Sequence, residues 1–227
     1  MNTQQPSPLH GAARRTRRFD PTLPPLVFLD FDGVLHPNQT TPDQRFEHVD
    51  VLMDLLDEHP EAELVVSSSW RFHFGWDDLL AEVPSRLAKR LVTATGPALP
   101  GRFQRHAEIK NFLGRLEVDG QGVRPWRALD DCAWEFPSNC TELIACDGAR
   151  GVQEGELYEL QEWLSQLSSC RLAIDTGGAP ASPELARRAV EVLDAADIPN
   201  VALLQRTFRL SYSEALHMLG AYLHHTR

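Results

Sequence analysis

The sequence has no pair of cysteines at CxxC spacing and no histidine-rich metal-binding run. Its four cysteines (Cys132, Cys140, Cys146 and Cys170) are scattered through 227 residues. So sparse a set in so long a chain is no disulfide scaffold, and it favours a reducing, cytoplasmic setting. No apolar run approaches the roughly 20 residues that a membrane-spanning helix needs. The pair Arg17–Arg18 resembles the start of an export signal, but the apolar stretch behind it is broken by Pro24, Pro25, Asp30 and Asp32. A soluble, unexported protein with no membrane partner is therefore expected. There is no excess of positive charge either. The formal net charge of −10 argues against a surface that binds nucleic acid as a whole, while leaving room for a local basic patch. No sequence repeat links the two halves of the chain.

What is present suffices for one medium domain with a small appendage. Hydrophobic content of 42% and charged content of 24% are those of an ordinary globular protein. Residues 1–24 are rich in Pro, Gln, Thr and Arg, with little to bury, and read as a disordered leader. Its cluster Arg14, Arg15, Arg17 and Arg18 reads as a solvated tail before it reads as a nucleic-acid-binding arm. Strand-length segments fall at 26–29, 63–66, 91–94, 126–129 and 143–146, the first of them a continuous apolar run. Amphipathic helical patterns lie between or after them at 46–57, 77–82, 84–91, 107–116 and 157–167. Strands alternating with helices at this spacing predict an α/β fold, a doubly wound parallel sheet with active-site residues beyond the carboxyl ends of its strands.

Every notable polar cluster falls at such a strand end. Asp30 and Asp32 follow the first strand in LDFDGVL, Ser67 follows the second, and Asp130 and Asp131 follow the fourth. Residues i and i+2 of an extended chain share a side, so Asp30 and Asp32 can face one site while Phe31 packs the other way. Gly33 allows the sharp turn behind them. Two carboxylates this close repel unless a cation sits between them or one holds a proton, and Mg²⁺ is the natural occupant of an all-oxygen site. Ser67 offers a hydroxyl to a phosphate oxygen. Asp130 and Asp131 supply the further carboxylate that fixes the metal, and either can do so while the other caps a turn.

With LDFDGVL, VVSSSW, a basic residue opening a helix, and ALDD, the chain resembles the haloacid-dehalogenase-like (HAD) phosphohydrolases over about residues 25–165. The SSSWR variant is similar to the HAD domains of bacterial nucleic-acid repair proteins. The resemblance implies Asp30 as nucleophile, Asp32 as general acid and base, and Ser67 and Gly33 at the phosphate. Metal would be held by Asp30, Asp32, Asp130 and Asp131. The basic residue that neutralises the phosphate is Arg105 by position, with Arg102 and Lys110 as alternatives. Trp70 and Arg71 read as packing residues that orient the second loop, His36 as a loop histidine, and Cys132 as inert. About 34 residues separate Asp32 from Ser67, too few for a large cap in this family. That leaves an open site suited to a phosphate on a large molecule such as a nucleic-acid end. A small phosphometabolite fits instead if Phe72, Phe74 and Trp76 form a miniature lid.

Beyond residue 167 a linker is expected over 168–183, then helical patterns at 183–196, 201–207 and 211–224. Leu203, Leu204, Gln205, Arg206, Phe208, Tyr212 and Ala215 resemble the winged-helix gamma domain of FtsK-type DNA translocases. The resemblance implies DNA binding by residues 184–227 and, as an alternative to catalysis, a regulatory protein with an inactive HAD domain. The presumed recognition helix contains Glu214 and no Lys or Arg, which favours a helical packing or dimerisation module over a groove reader. A metal-binding DxD glycosyltransferase is a third reading, and Ser67 and Asp130 speak against it.

Overall fold

The computed structural model describes residues 20, 23–175, 183–195, 201–210, 215, 218, 219 and 222. Five parallel strands form one sheet: β1 (Leu26–Leu29), β2 (Glu63–Val66), β3 (Leu91–Ala94), β4 (Trp126–Asp130) and β5 (Leu143–Ala145), in the order β3-β2-β1-β4-β5. Side chains alternate across β1, so it feeds both faces. Val27 and Leu29 join the cluster built with α1 (Val49–Asp57), α2 (Trp76–Glu82), α3 (Ser85–Ala88) and α5 (Glu154–Asp175). Leu26 and Phe28 join Ile109 and Phe112 of α4 (Gln104–Val118) on the opposite face. Phe28 is fully buried and meets Phe112 and Trp126 edge-on, with ring centroids 5.6 and 5.7 Å away. Burying each such side chain contributes about 1.5–3 kcal/mol, which is why a four-residue strand can anchor the domain.

The chain winds from β1 out to β3, then crosses through α4 to β4 on the other side of β1. The reversal opens a crevice at the carboxyl ends of β1 and β4, the place where such sheets hold ligands. Between β1 and β2 lie only the 3₁₀ turn Pro42–Gln44 and α1. Between β2 and β3 lie the turn Ser69–Phe72 and the short helices α2 and α3. No separate cap unit is inserted among these described residues.

Both edges of the expected domain differ from expectation. Helix α5 continues to Asp175, eight residues into the stretch expected to be a linker. Tertiary contacts hold it: Cys170 is buried, the Ser168 hydroxyl donates to Glu61 Oε1 at 3.0 Å, and Arg171 pairs with Glu61 and donates to the Leu23 carbonyl at 2.7 Å. The end of the expected leader is likewise docked. The Asp20 amide donates to the Val123 carbonyl at 2.7 Å, and Arg124 Nε to that of Pro24 at 2.7 Å. The rest of the leader lies outside the described residues. Helices α6 (Pro183–Asp194) and α7 (Val201–Phe208) contribute Ala189, Leu193 and Leu204 to a hydrophobic cluster of their own with Met218 and Tyr222. Apart from residues 215, 218, 219 and 222, the helix expected at 211–224 lies outside the described residues.

Candidate active site

The sheet ladder runs past the strand ends and fixes the first polar residues beyond them. The Asp30 amide donates to the Leu129 carbonyl at 3.1 Å, and the Ser67 amide to that of Leu29 at 2.9 Å. The Asp130 carbonyl accepts from the Cys146 amide at 3.0 Å. Ser67, Asp30 and Asp130 therefore stand side by side on three neighbouring strands, β2, β1 and β4. All three are buried.

Arg105, in the first turn of α4, projects between the two aspartates. Its Nη1 lies 3.1 Å from Asp30 Oδ2 and 3.1 Å from Asp130 Oδ2, and neither contact is aligned as a hydrogen bond. Burial raises the pKa of Asp30 above its ordinary value, against the pull of Arg105, the Phe31 amide and the Ser68 hydroxyl. Burial, reinforced by the charge of Asp30, pushes Asp130 up to about 7. Burial also works against the charge on Arg105, but Asp30 and Asp130 outweigh it and hold the guanidinium above its usual pKa. Arg102 stacks over Phe103 and Lys110 lies 5.9 Å from the Trp126 ring, so of the three basic residues Arg105 is the one brought to the aspartates.

Two buried oxygens are left over. Among the described residues, Asp130 Oδ1 accepts the Cys132 amide at 2.9 Å, Oδ2 has only the unaligned Arg105 guanidinium beside it, and Ser67 Oγ has no hydrogen bond. An orphaned buried oxygen costs about 1–3 kcal/mol, which a ligand can recover. Asp131 lies alongside, and donor atoms of Asp130, Asp131 and Cys132 fall within 4.8 Å of one another. The Cys132 thiol is held protonated by burial and by Asp131, to which it donates at 3.3 Å. The donors are thus hard carboxylate oxygens, crowded and partly unsatisfied, and they fit a hard divalent cation of the Mg²⁺ kind.

Asp131 is positioned by its own surroundings. The Asn38 amide donates to Asp131 Oδ2 at 2.7 Å, and the Asn38 backbone amide donates to the Gly148 carbonyl at 2.8 Å. A Cβ on Gly33 would meet Asp131 Oδ2 at 2.4 Å, and one on Gly148 would meet it at 2.3 Å. Gly33 has φ +71° and so serves both the turn expected of it and the approach of Asp131.

Asp32 is held differently. Trp70 Nε1 donates to its Oδ2 at 3.0 Å and His36 Nε2 lies 3.1 Å from its Oδ1. The Phe46 amide donates to His36 Nδ1 at 3.3 Å, so Nδ1 is the bare nitrogen and Nε2 carries the proton given to Asp32. These bonds, His36 first, hold the Asp32 carboxyl below the usual carboxylate range. Phe46 has φ +66°, a costly conformation for a bulky residue, and it is braced by edge-on contacts to Phe31, His36 and Trp70. Asp32 belongs to the metal-binding set expected from sequence; here both its oxygens are engaged by His36 and Trp70.

The second loop is braced by Arg71, which donates to the carbonyls of Ser67 and Ser68 and, at 3.3 Å, to that of Gly96; its other arm pairs with buried Glu108 of α4. The orienting role expected of Trp70 and Arg71 is thus matched by named bonds. His36 is no bystander, and Asn38, Glu108 and Gly148 were not singled out from sequence at all. For His36 the signal was its place just past DFDGVL. For Asn38, Glu108 and Gly148 none existed, because their partners are 93, 37 and 17 positions away (Asp131, Arg71 and Asp131).

Residues 26–157 match a family described as the HAD domain in Swiss Army Knife RNA repair proteins. Neither the comparison with curated proteins nor that with solved structures gives a match.

Proposed function

The chain belongs to the family of HAD domains in Swiss Army Knife RNA repair proteins, and on that premise we propose that it is a Mg²⁺-dependent phosphohydrolase acting on phosphorylated nucleic-acid ends. The observation that carries the proposal is Arg105 at 3.1 Å from both Asp30 and Asp130, beside the Ser67 hydroxyl, which has no hydrogen-bond partner among the described residues. Asp30, Asp130 and Asp131 would hold the cation, which when bound would neutralise the carboxylates and the incoming phosphoryl charge. Catalysis belongs to the domain at 25–167, with residues 184–227 as an appended helical unit.

A carboxylate oxygen of Asp30 attacks phosphorus as the bond to the leaving oxygen breaks, and the departing alkoxide takes a proton from Asp32. Ser67 Oγ and Arg105 hold equatorial phosphoryl oxygens. The His36 and Trp70 bonds keep Asp32 ionised at rest; the dianionic phosphoryl group raises its pKa by like-charge repulsion, so the acid forms when substrate binds. In the second step Asp32 takes a proton from water, the hydroxide attacks the Asp30 phosphoryl group, and phosphate leaves. A nucleic-acid end is supported by the family's name and by the absence of an inserted cap among the described residues, which leaves room for a bulky leaving group.

The test is a phosphatase screen of 5′- and 3′-phosphorylated oligonucleotides against small phosphate esters, with Mg²⁺ or with EDTA. Turnover that needs Mg²⁺ and disappears in Asp30→Asn is expected. Activity that survives both treatments would sink the mechanism, and a preference for small esters would sink the substrate class.

A further inference from the structure

Beyond the carboxyl ends of β2 and β3 lies an open groove of about 310 Å³, lined by Phe72, Phe74, Trp76, Gly96 and Pro97 and floored by Arg71. No carboxylate lines it. Phe72 is 49% exposed and Trp76 37%, although both are large apolar rings on the functional edge of the sheet. The part of each ring left exposed does nothing for the fold, so a use outside the fold is indicated.

The groove is built rigidly. Arg71 lies 4.0 Å from the centre of the Phe72 ring, and its guanidinium is locked by the Ser67, Ser68 and Gly96 carbonyls and by Glu108. One face of Phe72 is thus braced by a fixed cation whose charge Glu108 balances. Phe74 stacks on Trp70 at 5.6 Å with the rings inclined by 35°, and Trp70 donates to Asp32 Oδ2 at 3.0 Å. Phe74 therefore links the groove through Trp70 to Asp32.

Direction follows from chemistry. Asp32 protonates the leaving oxygen, so the leaving group lies on the Asp32 side of phosphorus, and Trp70, which holds Asp32, packs on Phe74 of the groove. We propose that the groove formed by Phe72, Phe74 and Trp76 seats the base of the terminal nucleotide whose phosphate is removed. This rests on the phosphohydrolase reading for its direction. An aromatic-lined slot whose Arg71 cation is balanced by Glu108, and which Arg71 ties to the Ser67 backbone beside the phosphate site, matches a nucleobase, whose π-face stacks whatever its hydrogen-bonding edge. The groove thus gives preference for a nucleic-acid end without sequence preference. It also gives the aromatic trio of the second loop a role other than that of a lid over a small metabolite.

The test measures binding to the full-length Asp30→Asn protein, which removes turnover. The probes are a short single-stranded RNA with a terminal phosphate and the same strand with an abasic terminal nucleotide, followed by fluorescence anisotropy. Loss of the base should weaken binding about tenfold, the scale of one base–aromatic stack. In the background of Phe72→Leu, or independently Trp76→Leu, the two strands should bind alike. The leucines keep the bulk and lose the flat face, and thermal melts verify folding. Equal affinity for the two strands in Asp30→Asn, absence of binding, or tighter binding of a phosphotyrosine peptide would each overturn the groove assignment. Base-dependent binding by a protein that hydrolyses no phosphoester would leave the groove standing and remove the hydrolase reading. Hydrolysis with no base dependence would do the reverse.

Discussion

Trp70 donates its indole N–H to Asp32 Oδ2 at 3.0 Å from a loop 38 residues further along the chain. Through this bond the loop that carries Ser67 also sets the direction of the Asp32 carboxylate. His36 holds the other oxygen, so Asp32 has little rotational freedom left.

Trp70→Phe keeps the ring that packs on Phe31, Phe46 and Phe74 and removes only the donor. We expect kcat to fall on the order of tenfold, the scale of one hydrogen bond, with KM and thermal stability little changed. His36→Ala should do at least as much, and because His36 is the chief cause of the lowered Asp32 pKa, the limb of the rate–pH profile that reports Asp32 should move upward. Steady-state kinetics between pH 4 and 9 measure both. An unchanged kcat in both variants would show that the clamp is irrelevant to catalysis.

Metal-free protein should lose stability as pH rises from about 4 to about 7. Asp130 has a folded-state pKa of about 7 against an ordinary 3.8. Below pH 4 it is protonated in both states. Between the two values the unfolded chain gives up the proton while the folded protein keeps it, so unfolding gains. Asp30 shifts the same way, and Asp32, shifted downward, acts only at the acid end. On the proposed function, added Mg²⁺ would bind the ionised carboxylates, so it should raise Tm more at pH 8 than at pH 5. Asp130→Asn should raise the metal-free Tm at pH 8 and blunt the Mg²⁺ response. Thermal melts at the two pH values decide it.

Arg105→Ala leaves Asp30 and Asp130 buried without their shared cation. A cost of about 3–5 kcal/mol is expected for metal-free protein at neutral pH. Mg²⁺ takes over part of the compensation, so the loss should shrink when it is added, while activity stays abolished. Denaturant unfolding with and without Mg²⁺ gives the two numbers. A loss of the same size in both conditions would mean that cation and guanidinium do not share the carboxylates.

Gly148→Ala places a Cβ within 2.3 Å of Asp131 Oδ2 and 2.4 Å of Asn38 Nδ2. Those short side chains must swing away, which breaks the Asn38–Asp131 bond. Mg²⁺ affinity should fall roughly tenfold, the usual size of an outer-shell effect on a metal site. Tm should change little, because no core side chain is touched. Isothermal titration with Mg²⁺ measures it, and native affinity in the variant would remove Asp131 from the cation's surroundings.

The sheet was legible because its strands are short, mainly apolar segments set between helical patterns, and β1, β2 and β4 end in polar clusters. A fully buried strand such as Leu26–Leu29 admits no other pattern, and parallel pairing follows from the helices between strands. Asp30, Ser67 and Asp130 were legible as site candidates for the same reason, since each stands at a strand end, whereas Arg105 was singled out only by the family resemblance, with Arg102 and Lys110 as alternatives. The linker expected over 168–183 was misplaced because local sequence says nothing of Glu61, which holds Ser168 and Arg171 and prolongs the helix.

By itself, then, the sequence determined the fold class, the strand ends and the set of carboxylates, since hydrophobic period and chain-local spacing specify these. Only tertiary structure decided which basic residue meets Asp30 and Asp130, which side chains hold Asp32, and why Gly33 and Gly148 must lack a Cβ. Those are contacts between residues far apart along the chain, made where β1 and β4 lie side by side, and no local pattern encodes the partner across that crevice.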